Sequence, residues 1–142
     1  MANDTSVKVG LTLHGTGGLN YENIDTAKTL AIADCGVIQN VVADSQTITL
    51  PATVVGYSYT IRNGGVPKTS GPVGSGDNGS LAVTVAPNAA DLVAGGAWTA
   101  ADNKSIVNTK ATAQAGDYIK LVADGVNGWM VTEIKGIWAK TA

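Results

Sequence analysis

The sequence predicts an all-β domain, a compact antiparallel sandwich or barrel preceded by an extended N-terminal arm. Three observations point there. Short apolar/polar alternations recur along most of the chain, Gly, Asn and Asp turn chemistry separates them at roughly 8 to 12 residue intervals, and no long stretch has helical periodicity. The apolar content is mainly Ala, Val, Leu and Ile with no Phe, and the frequent Val and Thr favour strands over helices.

The elements follow in order. Val7, Val9, Leu11 and Leu13 alternate with Lys8, Gly10 and Thr12, the two-residue period of a strand with one apolar face. Gly15 to Lys28 has three glycines and no strong period, so it reads as an extended connector. Residues 1–28 are thus expected to form an arm, and fully extended they would reach on the order of 90 Å at about 3.3 Å per residue. The β domain is then expected over 29–142. Its strands are expected at Thr29 to Ile32, Val37 to Val42, Thr47 to Leu50 before Pro51, and Tyr57 to Arg62 before Asn63-Gly64-Gly65. Val66 to Ser80, rich in Gly with Pro67 and Pro72, reads as the longest surface loop. Further strands are expected at Leu81 to Val85, Ser105 to Thr109, Tyr118 to Val122 and Met130 to Ile134, with a helical turn at Ala89 to Ala94. Asp124-Gly125-Val126-Asn127-Gly128 is the strongest hairpin signal.

A chain of 142 residues is long enough for one soluble domain with a real core. Lys and Arg number 9 against 11 Asp and Glu, a net charge of −2, with both signs mixed along the chain. That balance lacks the basic footprint that nucleic acid would require. No stretch approaches the roughly 18 apolar residues of a membrane span, and the opening MANDTSVKVG carries Asp4 and no apolar signal-peptide core. The expected site of synthesis and action is therefore the cytoplasm, or a particle assembled there.

The chemistry-bearing residues are few. The single Cys35 excludes an internal disulfide, and Cys35 with His14 cannot supply a four-ligand zinc site. His14 ends a strand with no nearby nucleophile in sequence, and Cys35 in a turn beside a β core reads as a small hydrophobe. Gly74-Ser-Gly-Asp-Asn-Gly79 matches G-x-G-x-x-G, but a strand follows it where a phosphate site needs a helix, so it reads as a loop. Asp34, Asp44, Asp77, Asp91, Asp102, Asp117 and Asp124 lie beside turn residues and read as acceptors for backbone amides. Nothing singles out two of them as a glycosidase pair. No catalytic, cofactor-binding or metal residues are assigned, and the chain is not read as an enzyme. Trp98, Trp129 and Trp138 carry most of the aromatic area, and their dispersal suggests core capping or subunit contacts rather than a sugar-stacking row.

Several segments together resemble a known family. They are Thr29-Leu-Ala-Ile-Ala-Asp-Cys-Gly36, Thr47-Ile-Thr-Leu-Pro-Ala52, Tyr57-Ser-Tyr-Thr-Ile-Arg62, Val83-Thr-Val-Ala-Pro-Asn-Ala-Ala-Asp-Leu-Val-Ala-Gly95, Gly116-Asp-Tyr-Ile-Lys-Leu-Val-Ala-Asp-Gly125, Gly128-Trp-Met-Val131 and Gly136-Ile-Trp-Ala139. The pattern, spread over about 29–142, resembles a small β module of tailed bacteriophages found in capsid decoration (cement) proteins and in head- or tail-fibre proteins. Cys35 departs from it, standing where a small polar residue is expected. The resemblance implies a structural virion protein, a homotrimer on the outer capsid surface that bridges neighbouring subunits of the major capsid protein. The alternative is a fibre module binding a host-surface glycan. A chain that is little more than this module and an arm fits decoration better than a fibre. On this reading Val7, Val9, Leu11 and Leu13 form the capsid-binding arm, adding as an edge strand to a partner sheet, and Trp98 and Trp138 lie at the subunit interface.

Overall fold

The computed structural model describes residues 20–65, 81–95 and 98–142. The described residues are nearly all β, with 47% strand and 3% helix, so their core must be built by sheet packing on sheet. Among the described residues twelve strands form two sheets: β1 (Tyr21–Ile24), β2 (Lys28–Thr29), β3 (Ile38–Val41), β4 (Gln46–Thr49), β5 (Ser58–Asn63), β6 (Val83–Ala86), β7 (Leu92–Gly95), β8 (Trp98–Asp102), β9 (Ile106–Asn108), β10 (Tyr118–Ala123), β11 (Gly128–Lys135) and β12 (Ala139–Lys140). The larger sheet has the order β1-β3-β5-β10-β11-β7-β8, the smaller β12-β9-β6-β4-β2.

The sheets are mixed rather than antiparallel, and the cause lies in the connections. From β1 to β6 each strand lies in the opposite sheet from the one before it. A chain that arches across the core at every turn returns to its first sheet running in its original direction, so β1, β3 and β5 are mutually parallel, as are β2, β4 and β6. Hairpin geometry appears only later, where β10 turns directly into β11 and β7 pairs with β8.

The expected strands between residues 37 and 62, and those at 81–85, 105–109, 118–122 and 130–134, are present within a residue or a few at each end. Other expectations need correction. Residues 20–28 belong to the domain: β1 pairs with β3, Ile24 is buried in the core, and β2 pairs with β4. Thr29 to Ile32 is largely not a strand, because the chain bends into a 3-10 turn at Ile32–Asp34 on its way between sheets. The helical turn expected at Ala89 to Ala94 is a turn at Asn88 to Asp91 followed by β7, since Leu92 to Ala94 find a parallel partner in Gly128 to Met130.

The core lies between the sheets. Val41, Tyr59, Ile61, Ile119, Leu121 and Trp129 project from the larger one against Ile48, Val83, Val85 and Ile106 from the smaller, all buried. In a chain with no Phe, Tyr59 and Trp129 provide the bulk, their ring centroids 5.3 Å apart and tilted by 38°. The Tyr59 hydroxyl donates to the Ala31 carbonyl at 2.9 Å. Burial pushes its pKa up, with a lesser contribution from a hydrogen bond to Cys35. Lys28 ties the sheets together at one edge, donating to Glu22 and Asp34 at 2.6 Å each and to Gln39 at 3.0 Å. Burial alone would lower its pKa, but the hydrogen bonds to Asp34 and Glu22 outweigh it and the net shift is upward.

Candidate functional site

Strand direction sorts the connections into two ends. β3 and β5 start where β10 stops, and β11 and β7 start beside them. The connections 30–37, 50–57, 87–91 and 124–127 therefore gather at one end of the larger sheet, here called the apex. The first described residue, Asn20, lies there too, its carbonyl accepting the Ile38 amide at 2.9 Å.

The apex loops are braced against one another. Asp124 Oδ1 accepts the amides of Val126, Asn127 and Gly128 at 2.8 to 2.9 Å, and Oδ2 accepts the Asn127 side-chain amide. Those donors, with Gly128 and Val126 foremost, hold the carboxyl well below the usual carboxylate range. Thr53 locks the neighbouring loop to this turn: its hydroxyl donates to the Gly128 carbonyl at 2.8 Å and accepts the Gly125 amide at 3.0 Å, while its own amide donates to Asp91 at 2.9 Å. A Cβ on Gly125 would stand 2.8 Å from the Val55 nitrogen, and the residue has φ of +76°. Glycine is what lets the two loops lie in contact.

Fixed in this way, the apex presents apolar side chains to solvent. Val55 is 73% exposed, Val126 81%, Val54 44% and, in the connection before β3, Ile32 66%. Single exposed apolar residues are ordinary, and Ile137 at the other end is 59% exposed; at the apex, two loops braced against each other carry three, Val54, Val55 and Val126.

The opposite end, the base, has a different character. Asn63, Asn108 and Asp117 are buried and joined in a chain: Asn63 Nδ2 donates to Asn108 Oδ1 at 2.7 Å, and Asn108 Nδ2 donates to Asp117 Oδ2 at 3.0 Å. Asp117 also accepts the Gln114 amide at 2.9 Å, while the Asn63 and Asn108 amides reach the carbonyls of Leu81 and Ile137. Gly136, with φ of +88°, sits so close that a Cβ would fall 2.1 Å from the Asp117 carboxyl carbon. This satisfied polar cluster joins the two sheets and reads as architecture.

The residues singled out from the sequence fall as follows. Val7, Val9, Leu11, Leu13 and His14 lie outside the described residues, as does the Gly74 to Gly79 motif. Trp138, expected at a subunit interface, is 6% exposed in this chain, packs in its core and donates Nε1 to the Lys135 carbonyl at 2.9 Å. Trp98 is half-buried against the core. Cys35 is half-buried against it too, as a small hydrophobe would be. Asp34, Asp44, Asp91, Asp117 and Asp124 all accept backbone amides, as their turn positions predict. Compared with family models, curated proteins and solved structures, the chain matches none of them. Sequence reading overlooked Val54, Val55 and Val126, although each is an apolar residue inside a segment whose Pro, Asp and Gly chemistry forces it outward.

Proposed function

We propose that this chain is a structural virion protein, a capsid decoration protein whose apex and N-terminal segment dock on the major capsid protein. It has no chemistry to perform. The observation that carries the proposal is the coincidence, at one end of the sandwich, of exposed Val54, Val55 and Val126 with Asn20, the residue to which the N-terminal segment is joined. The resemblance of the chain to phage cement modules supports the same reading.

Rigid apolar loops suit this role, because association then costs little loop-ordering entropy. The segment holding Val7, Val9, Leu11 and Leu13 extends the contact from the same end, and its alternate side chains suit addition to a neighbouring sheet. Attachment through three arms of a homotrimer multiplies the affinity of each, and Trp98 remains the candidate for contact between copies. The location is the outer capsid surface.

The test uses capsid shells of the virus that encodes this chain, stripped of it. Three purified proteins are added back and their occupancy is counted by sedimentation and mass: the full chain, the Val55→Asp/Val126→Asp double variant, and the chain lacking residues 1–14. The full chain should fill sites in hundreds of copies per particle, and both variants should lose occupancy. Full occupancy by both variants, or no binding by the full chain, overturns the proposal.

A further inference from the structure

The outer face of the larger sheet carries a second feature, remote from the apex contacts. Its registers align two rows of side chains across β3, β5, β10 and β11. One row is Ile38, Thr60, Lys120, Glu133; the next is Asn40, Arg62, Tyr118, Lys135. All of these but the buried Asn40, together with Gly116, line an open groove of about 400 Å³. The groove holds Arg62, Lys120 and Lys135 against the single carboxylate of Glu133, on a chain whose overall charge is −2. None of the three cations forms an ion pair among the described residues.

The cations are also placed. Arg62 Nη1 donates to Asn40 Oδ1 at 2.8 Å and to the Tyr21 hydroxyl at 3.3 Å, and Asn40 is held in turn by Asn23 at 2.9 Å. These neutral partners orient the guanidinium without neutralising it. Gly116 lies at the rim, and the point where a Cβ would stand is 3.8 Å from Lys135 Nζ and 4.0 Å from Arg62 Nη2. Two positive groups thus converge on one open position that any other residue would fill. An anionic group seated over Gly116, beyond van der Waals contact with its Cα, faces both.

We propose that this groove binds a carboxylated saccharide, a uronic-acid-bearing glycan, with its carboxylate above Gly116 between Arg62 and Lys135. Thr60, Lys120 and Glu133 supply hydroxyl partners along the adjacent row, and Tyr118, between the two cations, offers a ring for the sugar to pack on. The Glu133 carboxylate, which accepts the Tyr118 hydroxyl, is what favours a saccharide over a phosphodiester backbone. It gains from sugar hydroxyls but repels a continuous row of phosphates. The groove opens on the flank toward the base, so a protein seated by its apex would leave it accessible. The inference goes beyond capsid docking and does not depend on it.

The experiment titrates the isotope-labelled full chain with trigalacturonate, its uncharged methyl ester and a short oligothymidylate, following backbone amide resonances. Trigalacturonate should shift Gly116, Tyr118, Lys120 and Lys135 and should weaken as salt rises. Arg62→Gln and Lys135→Gln should each weaken it roughly tenfold, whereas Lys104→Gln, the same charge change elsewhere, should not. The proposal is overturned if the methyl ester binds as tightly, if shifts fall outside the groove or do not occur at millimolar ligand, or if the oligothymidylate binds these residues more tightly. Capsid occupancy of Lys135→Gln should stay at the full-chain level, separating this site from the docking end.

Discussion

The two ends of the sandwich solve opposite problems with similar turn residues. At the base, Asn63, Asn108 and Asp117 are withdrawn from water and spend their hydrogen-bonding capacity on one another and on nearby backbone. At the apex, Asp124 and Thr53 spend theirs on bracing loops whose valines face outward. Substitutions at the base should therefore act on folding, and substitutions at the apex tips on association.

The largest effect is expected at the base. Asp117→Ala strips an acceptor from the buried Asn108 amide and the Gln114 amide, and stranded buried donors cost about 1–3 kcal/mol each. A loss of about 3 kcal/mol should appear as a lower denaturant midpoint with an unchanged slope. Gly136→Ala should act through the same carboxylate, adding strain of about 1 kcal/mol for a left-handed backbone. A midpoint within about 0.5 kcal/mol of wild type would mean that the cluster is not what holds the base.

At the apex the expected pattern is reversed. Val55→Asp and Val126→Asp alter side chains that are mostly in water, so stability should change by no more than about 0.5 kcal/mol. Capsid affinity should fall roughly tenfold or more as charge enters an apolar contact. Equal losses in both measurements would erase the distinction between the ends.

A pH titration sharpens the comparison further. The Asp124 carboxyl has its folded pKa depressed, so its stabilising contribution is fully present above the ordinary carboxylate value and is lost as pH falls through the folded one. Denaturation midpoints of wild type and Asp124→Asn should therefore converge as pH drops below about 4. Lys28 works in the other direction: its folded pKa is raised, so its contribution holds below the ordinary lysine value and fades above it. Lys28→Met should lose its stability difference from wild type only in strong alkali. This is the smallest of the expected effects, because the group is partly exposed and screened.

How much of this was legible depended on whether the information was local. The alternations at Tyr57 to Arg62 and Tyr118 to Val122 disclosed strands and their inward faces, and Asp124 to Gly128 disclosed a hairpin, because side-chain period and turn chemistry are written within a few residues. Tyr21–Ile24 was missed because three of its four residues are exposed and give no apolar period. Parallel pairing was missed because it is a property of the crossovers: Pro51 to Tyr57 reads as a turn whether the chain folds back in its own sheet or arches to the other. The burial of Trp138 was not legible for a related reason, since only the fold shows that Lys135 and the core enclose it. The apex and the groove both depend on which loops and rows the topology brings together.

The most direct test of the apex as the docking end is amide hydrogen exchange of the protein bound to capsid shells, compared with the free protein. New protection should fall on the connections 50–57 and 124–127, with residues 109–117 and 135–137 at the base unchanged. Protection confined to the base, with the apex exchanging as in the free protein, would contradict the account.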